Sequence, residues 1–164
     1  KDAVSACVIL AEIAAWAKDQ GLSLYQLLQK IYVEYGFSKE KGISVVKKGK
    51  SGAEEIEAMM KKFRENPLTE IAGSKVTYFY DYSTLKGKDY AENETVTLDM
   101  PTTSNVLQYF TEDNTKVSIR PSGTEPKIKF YCEVHSKVKS IDELPEAEKA
   151  AEEKINQIKA SLGI

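Results

Sequence analysis

Apolar positions follow different rhythms along this chain, and each rhythm predicts a different kind of structure. From Ala3 to Ala17 the residues are nearly all apolar, with Ser5 and Glu12 as the interruptions. That density predicts a buried helix, with Asp2 as its N-cap and Gly21 as its C-terminal stop. Ser23-Leu24-Tyr25-Gln26 has the spacing of a capping box, and Leu24, Leu27, Leu28, Ile31 and Tyr32 follow at helical spacing up to Gly36. Residues 1–37 therefore read as a helical hairpin. Two such helices cannot bury both apolar faces against each other, so this piece is expected to need a further partner.

The pattern changes after residue 37. Ser38-Lys39-Glu40-Lys41-Gly42 reads as a charged connector and Ile43–Val46 as a short strand. A second capping box is predicted at Ser51-Gly52-Ala53-Glu54. The helix after it carries Ile56, Met59, Met60 and Phe63 on one face and stops at Asn66-Pro67. From residue 74 the period shortens to two. Lys75–Tyr82 is a β-prone aromatic run ending in a loop at Lys86-Gly87-Lys88, and Asn105–Phe110 pairs with Thr115–Arg120 through an Asp113-Asn114 turn. In Lys127–Val134, Ile128, Phe130, Cys132 and Val134 share the predicted core face. Leu144, Ala147, Ala151, Ile155, Ile158 and Leu162 close the chain at helical intervals, with Pro145 near the helix start. Residues 38–164 thus predict an α+β layer: a mainly antiparallel sheet of four or five strands, with two helices on one face.

Composition narrows the function classes. Lys and Arg total 23 against 25 Asp and Glu, for a net charge of −2, which argues against a nucleic-acid binder. Glu12 breaks the first apolar run and Asp2 directly precedes it, and the run is too short to span a bilayer, so no signal peptide or membrane role is expected. Cys7 and Cys132 are too few for a disulfide scaffold or a structural zinc site, and a reducing, cytoplasmic setting fits them best. Both are expected as buried thiols.

One loop stands apart, Arg120-Pro121-Ser122-Gly123-Thr124-Glu125-Pro126-Lys127. Its prolines restrict the backbone on either side and leave a block of amide donors from Ser122 to Glu125. Gly123 permits a positive φ, around which successive amides can form an anion-binding nest. Ser122 and Thr124 add hydroxyls, Arg120 adds a planar fork suited to phosphate oxygens, and Lys129 follows on the non-core face of the next strand. By residue type alone two descriptions fit: an anion-binding loop, or a rigid Pro-Gly turn with solvated charges. Glu125 counts against an anion unless its carboxylate turns away or pairs with a lysine.

The stretch Ser118-Ile119-Arg120-Pro121-Ser122-Gly123-Thr124-Glu125-Pro126-Lys127-Ile128-Lys129-Phe130-Tyr131 resembles the C-terminal phosphate-binding loop of the α-D-phosphohexomutase family. That family includes phosphoglucomutase, phosphomannomutase and phosphoglucosamine mutase. The resemblance extends along the chain: residues 1–37 look like the last helices of the family's third domain. Residues 38–164 look like its fourth domain, a TATA-box-binding-protein-like four-stranded sheet with helices on one face. It implies a phosphoglucomutase or phosphomannomutase that moves a phosphoryl group between hexose positions, through a phosphoserine enzyme and a hexose 1,6-bisphosphate intermediate. Mg²⁺ assists in that family. Carried over by position, Arg120, Ser122, Gly123, Thr124 and Lys129 would grip the phosphate that is not reacting.

The phosphoserine loop, the Asp-Gly-Asp metal motif and the Gly-Glu-Glu-Ser sugar-reading loop do not occur in this chain. The resemblance therefore implies that the chain is not catalytic alone and works with missing N-terminal domains and a phosphosugar substrate. The fragment itself is a candidate homodimer. Phosphoglucosamine mutase and phosphopentomutase remain within the same resemblance. A non-catalytic phosphate-binding or protein-interaction module using the same domain is the alternative from another class.

Other residues read as structural. His135, the lone histidine, is expected as a solvated residue at a strand end, and Trp16 as a core anchor. Asp81 and Asp99 have no partner at informative spacing. Tyr78, Tyr80, Tyr82, Tyr90 and Tyr109 are expected to pack the sheet rather than stack on a ligand, and Lys39–Lys50 to form a solvated hinge.

Overall fold

The computed structural model describes residues 2–47 and 49–164, and of Lys50 only the backbone. Two compact units are present, one made of residues 1–38 and 136–149 and the other of 39–135 and 150–164.

The first unit holds α1 (Ala3–Asp19) and α2 (Leu24–Tyr35). Asp2 caps α1 by accepting from the Ser5 amide at 2.9 Å. At its other end Gly21 sits at φ 69°, the left-handed geometry that lets its amide reach Lys18 O while Leu22 reaches Ala17 O. The capping box is formed as the spacing predicts: Ser23 accepts from the Gln26 amide and Gln26 accepts from the Ser23 amide. A small cluster of Ala17, Phe37, Val138 and Leu144 is buried, and Tyr32 meets the edge of Phe37 at 5.0 Å between ring centres. Much of the remaining apolar surface faces outward. Val4 and Tyr35 are each 77% exposed. Cys7 is exposed, which corrects the expectation of a buried thiol, and Trp16, expected to anchor the core of the preceding domain, is 54% exposed in this chain. The reason is physical: a two-helix hairpin has too little surface to cover both apolar faces.

The second unit is built on a sheet in the order β1-β8-β7-β6-β3-β4-β5, with β2 added beside β3. The strands are β1 (Phe37–Val46), β2 (Glu70–Ile71), β3 (Ser74–Asp81), β4 (Lys86–Asp89), β5 (Glu94–Thr97), β6 (Leu107–Thr111), β7 (Lys116–Pro121) and β8 (Lys127–Ser136). Neighbours from β8 to β5 along that order run antiparallel. Lys47 donates to Pro126 O at 2.9 Å, so the end of β1 lies beside the start of β8. Two helices, α3 (Gly49–Glu65) and α4 (Leu144–Leu162), cover one face. Phe63 of α3 meets Phe130 edge-on at 6.1 Å, and the Tyr109 hydroxyl donates to Phe63 O at 3.0 Å. Ile155 and Ile158 of α4 are fully buried, as are Val117, Ile119, Ile128 and Phe130. The period-two and helical patterns thus meet in one core, which confirms the α+β class with an antiparallel sheet and helices on one face.

The strand count is higher than the four or five predicted. Residues 38–42, read as a connector, belong to β1, because Lys39 and Lys41 extend along the strand to pair with Glu152 of α4. Lys39–Val46 is therefore strand and not hinge, while Lys48 lies outside the described residues. Lys86-Gly87-Lys88 is strand and not loop. Gly87 is required there, since a Cβ would meet the Tyr80 ring at 2.4 Å. Helix α3 begins at Gly49, so Ser51 lies inside it and the second predicted capping box is not its start. Gly52 allows the close approach of Lys47, whose backbone carbon would sit 2.7 Å from an added Cβ.

Candidate functional site

Strands β7 and β8 form the hairpin that carries the Pro-Gly loop. Ser122 donates to Lys127 O and Lys127 donates to Glu125 O, each at 2.7 Å, so the loop is closed by its own backbone. The Thr124 amide makes a long contact of 3.5 Å with the Ser122 hydroxyl. Among the described residues, nothing accepts from the amides of Gly123 and Glu125. Gly123 keeps a negative φ, so the predicted nest with a left-handed residue is not formed. The prolines and the two backbone hydrogen bonds fix the loop without it.

The register places Arg120 directly opposite Lys129. Directly opposed residues in an antiparallel pair point to the same face, here the one away from α3 and α4. Neither cation has an ion-pair partner within 4 Å among the described residues. Like charges in this position repel, and an anion between them reverses the sign of the interaction. Glu125 turns onto Lys127 at 2.9 Å. Its carboxyl is held below the usual range first by that ammonium and, more weakly, by Lys129. The objection that Glu125 raises to an anion site is met by this pairing.

The five predicted site residues therefore fall into two sets. Arg120 and Lys129 share the open face of the sheet, whereas Ser122, Gly123 and Thr124 wall a pocket of about 840 Å³ whose other side is α3. Its charged lining is Lys61 and Arg64 against Glu57, Glu65 and Glu125, so the pocket itself carries no excess of positive charge. The cationic part of the site lies with Arg120 and Lys129.

Residue-by-residue reading missed the support beneath this region. Asp81, which the sequence presents as isolated, is buried and accepts from Arg64 Nε at 3.0 Å and from the Ser83 amide and hydroxyl. Burial raises its carboxyl, but these partners outweigh that and hold it below the usual range. Arg64 also donates to Asn105 at 2.8 Å. No spacing rule finds a pair 17 residues apart on a helix and a strand. His135 is exposed as predicted, and Glu133 is its partner at 2.8 Å. The tyrosines pack as expected, with Tyr80 beside Phe110 at 5.3 Å and Phe79 beside Tyr109 at 4.9 Å. Among the described residues no cluster of three His, Cys, Asp or Glu side chains fits a metal ion, and no helix is long and apolar enough to cross a membrane.

The family described as phosphoglucomutase/phosphomannomutase, C-terminal domain, matches residues 43–151. A phosphoglucomutase of Staphylococcus haemolyticus is 35% identical over 82% of this chain and 24% of its own length. A phosphoglucomutase of Staphylococcus saprophyticus is 31% identical over 88% of this chain and 25% of its own. Among solved structures, the exocytosis-sensitive phosphoprotein pp63/parafusin of Paramecium, a phosphoglucomutase in its open form, matches 72% of this chain and 19% of that one. At 15% identity and a TM-score of 0.38, its geometry is too distant to carry over. The chain spans about a quarter of the length of the curated relatives it matches. With the matched region enclosing both strands of the loop hairpin, this chain belongs to the phosphoglucomutase/phosphomannomutase C-terminal domain family.

Proposed function

We propose that this chain is the phosphate-gripping C-terminal part of a phosphohexomutase that interconverts hexose 1-phosphate and hexose 6-phosphate. The observation that carries this reading is the Arg120–Lys129 pair, two opposed cations beside a loop with uncommitted amides at Gly123 and Glu125. A dianionic phosphate relieves the repulsion and accepts charge-assisted hydrogen bonds, each contributing ~1.5–3 kcal/mol. Ser122 and Thr124 carry hydroxyls on the adjoining loop, on its α3 side. Holding a phosphate remote from the reacting one is positioning, which is much of what phosphoryl transfer asks of a protein.

The reacting groups would lie in the preceding part of the enzyme. There a phosphoserine gives its phosphoryl group to the free sugar hydroxyl, and the bisphosphate returns its other phosphoryl group to the serine. Mg²⁺, held outside this chain, supplies charge neutralisation on the transferring group. Residues 1–37 are the last helices of the preceding domain and 38–164 the phosphate-binding domain, in a cytoplasmic enzyme. The exposed apolar face of α1 and α2 is where that preceding domain packs, and a second copy of the fragment would cover it in a homodimer.

Titration of the chain with inorganic phosphate, followed by amide chemical shifts, tests the grip. Shifts centred on residues 120–129 are expected, and Arg120→Ala should weaken binding about tenfold or more at unchanged folding stability. Unaltered affinity in that variant would remove the assignment of the loop.

A further inference from the structure

Strands β4 and β5 carry the sheet on past β3, and α3 ends at Glu65. Between Arg64 and Pro67 on one side and β4 on the other lies a pocket of about 360 Å³. It shares Arg64 alone with the pocket beside the Pro-Gly loop and contains none of the five phosphate-gripping residues.

The register decides which charges face this pocket. Lys86 stands opposite Asp81 and Lys88 opposite Phe79, so both lysines share the helix side of the sheet with those two buried residues. Their Cα atoms are about 6.8 Å apart along the strand. Asp81, the carboxylate in the lining, already accepts from Arg64 at 3.0 Å and from the Ser83 amide and hydroxyl. Lys86 stands directly across from Asp81 in the register, yet among the described residues it has no ion-pair partner within 4 Å. Lys88 donates to Asn93 O at 2.8 Å, and an ammonium has further hydrogens to give. Arg64 and Asp81 offset each other, which leaves the charges of Lys86 and Lys88 in excess.

The floor is apolar and aromatic. Phe79, 4.9 Å from Tyr109 between ring centres, is 7% exposed, and Pro67 and the half-buried Tyr90 complete the lining there. The Tyr90 hydroxyl has no partner among the described residues. Burial raises it above its ordinary range, so at neutral pH it remains a protonated donor. Thr95, opposite Lys88, adds a second hydroxyl. Lysines on an open surface hold ions weakly, because water and salt screen them. Here a flat apolar floor takes one side of a ligand out of water beside the two ammoniums, where charge-assisted hydrogen bonds gain strength.

The charge excess and the lysine spacing choose between classes of anion. A phosphate concentrates its charge at one point and leaves the aromatic floor uncovered. Two carboxylates joined by a flat ring or conjugated chain match both the excess and the step between the lysines. We infer that the pocket beside β4 binds a small planar dicarboxylate, with a carboxylate on each of Lys86 and Lys88 and its flat middle against Phe79 and Tyr90. This site is independent of the phosphate grip, and its ligand is a different small molecule from the phosphosugar.

The test titrates the 164-residue chain with terephthalate, a benzene ring with carboxylates at opposite ends, by calorimetry and amide chemical shifts. Shifts are expected at Phe79, Lys86–Tyr90 and Thr95, and excess inorganic phosphate should not reverse them. Terephthalate should bind about tenfold more tightly than benzoate, which has one carboxylate, and than its trans-cyclohexane counterpart, which is not flat. Lys86 is exposed, so Lys86→Ala leaves the fold intact and should weaken terephthalate about tenfold, whereas Lys86→Arg should retain most of the affinity. Absence of binding, shifts confined to residues 120–129, or reversal by phosphate overturns the site. Equal affinity for terephthalate and either comparison acid, or an unchanged affinity in Lys86→Ala, overturns it as well. None of these outcomes touches the phosphate grip, which stands or falls on Arg120→Ala.

Discussion

The two units of this chain handle their apolar residues in opposite ways. In the unit of residues 39–135 and 150–164, the inward positions of β6, β7 and β8 and the inner face of α4 are almost wholly removed from water. In the unit of residues 1–38 and 136–149, α1 is capped at both ends and richer in apolar residues than α4, yet Val4, Val8, Ile9 and Leu10 are all more than half exposed. Caps and propensity are thus equal to forming a helix, whereas burial needs a second layer of the right size. The sheet supplies that layer in one unit and nothing in the other does.

Hydrogen exchange gives the largest contrast between the units. Amides of α1 should exchange faster than those of β7 and β8 by a factor on the order of a thousand, about 4 kcal/mol of opening free energy. Equal protection in a monomeric sample would erase the distinction. Side-chain truncation sharpens it next. Phe130→Ala, at a fully buried position, should cost about 3–5 kcal/mol in urea unfolding, while Val8→Ala should stay within about 0.5 kcal/mol. A comparable loss from both would place Val8 in a working core.

Smaller effects follow from single contacts in the sheet unit. Gly52→Ala places a Cβ 2.7 Å from the Lys47 backbone and should cost about 1–3 kcal/mol, read as a lower urea midpoint. A neutral Gly52→Ala would mean that the chain before α3 shifts freely. Asp113 gives the mildest effect. Burial raises its carboxyl, but hydrogen bonds from Lys154, Thr111 and Thr115 outweigh this and hold it well below the usual range. A carboxyl depressed in the folded state contributes stability that is present at neutral pH and is lost as pH falls below about 4. Asp113→Asn should lower stability at pH 7 and flatten that acid limb, and an unchanged pH profile would remove the pairing as its cause.

Much of the sheet unit was legible because its rhythm is local. The alternation of Ile128, Phe130, Cys132 and Val134 and the helical spacing of Ile155 and Ile158 each name a buried face, and all six are buried. What escaped depends on contacts distant in sequence. Lys39 and Lys41 look like solvated charges until Glu152 is beside them, and Gly87 looks like a turn until the Tyr80 ring fills its place. The candidate site shows the same limit. Its residue types stand in one short loop, but which of them share a side is a property of register. Register joined Arg120 to Lys129, while the course of the loop beyond it set Ser122, Gly123 and Thr124 against α3.

The two cysteines carry a practical consequence. Cys132 is buried, and burial pushes its thiol up to about 11, so at neutral pH it is almost entirely the unreactive thiol. Cys7 stands exposed on α1 among the uncovered apolar residues. A maleimide dye added to the native chain therefore lands on one helix and spares the sheet. Its fluorescence then reports on whatever comes to cover that helix, without a single engineered residue.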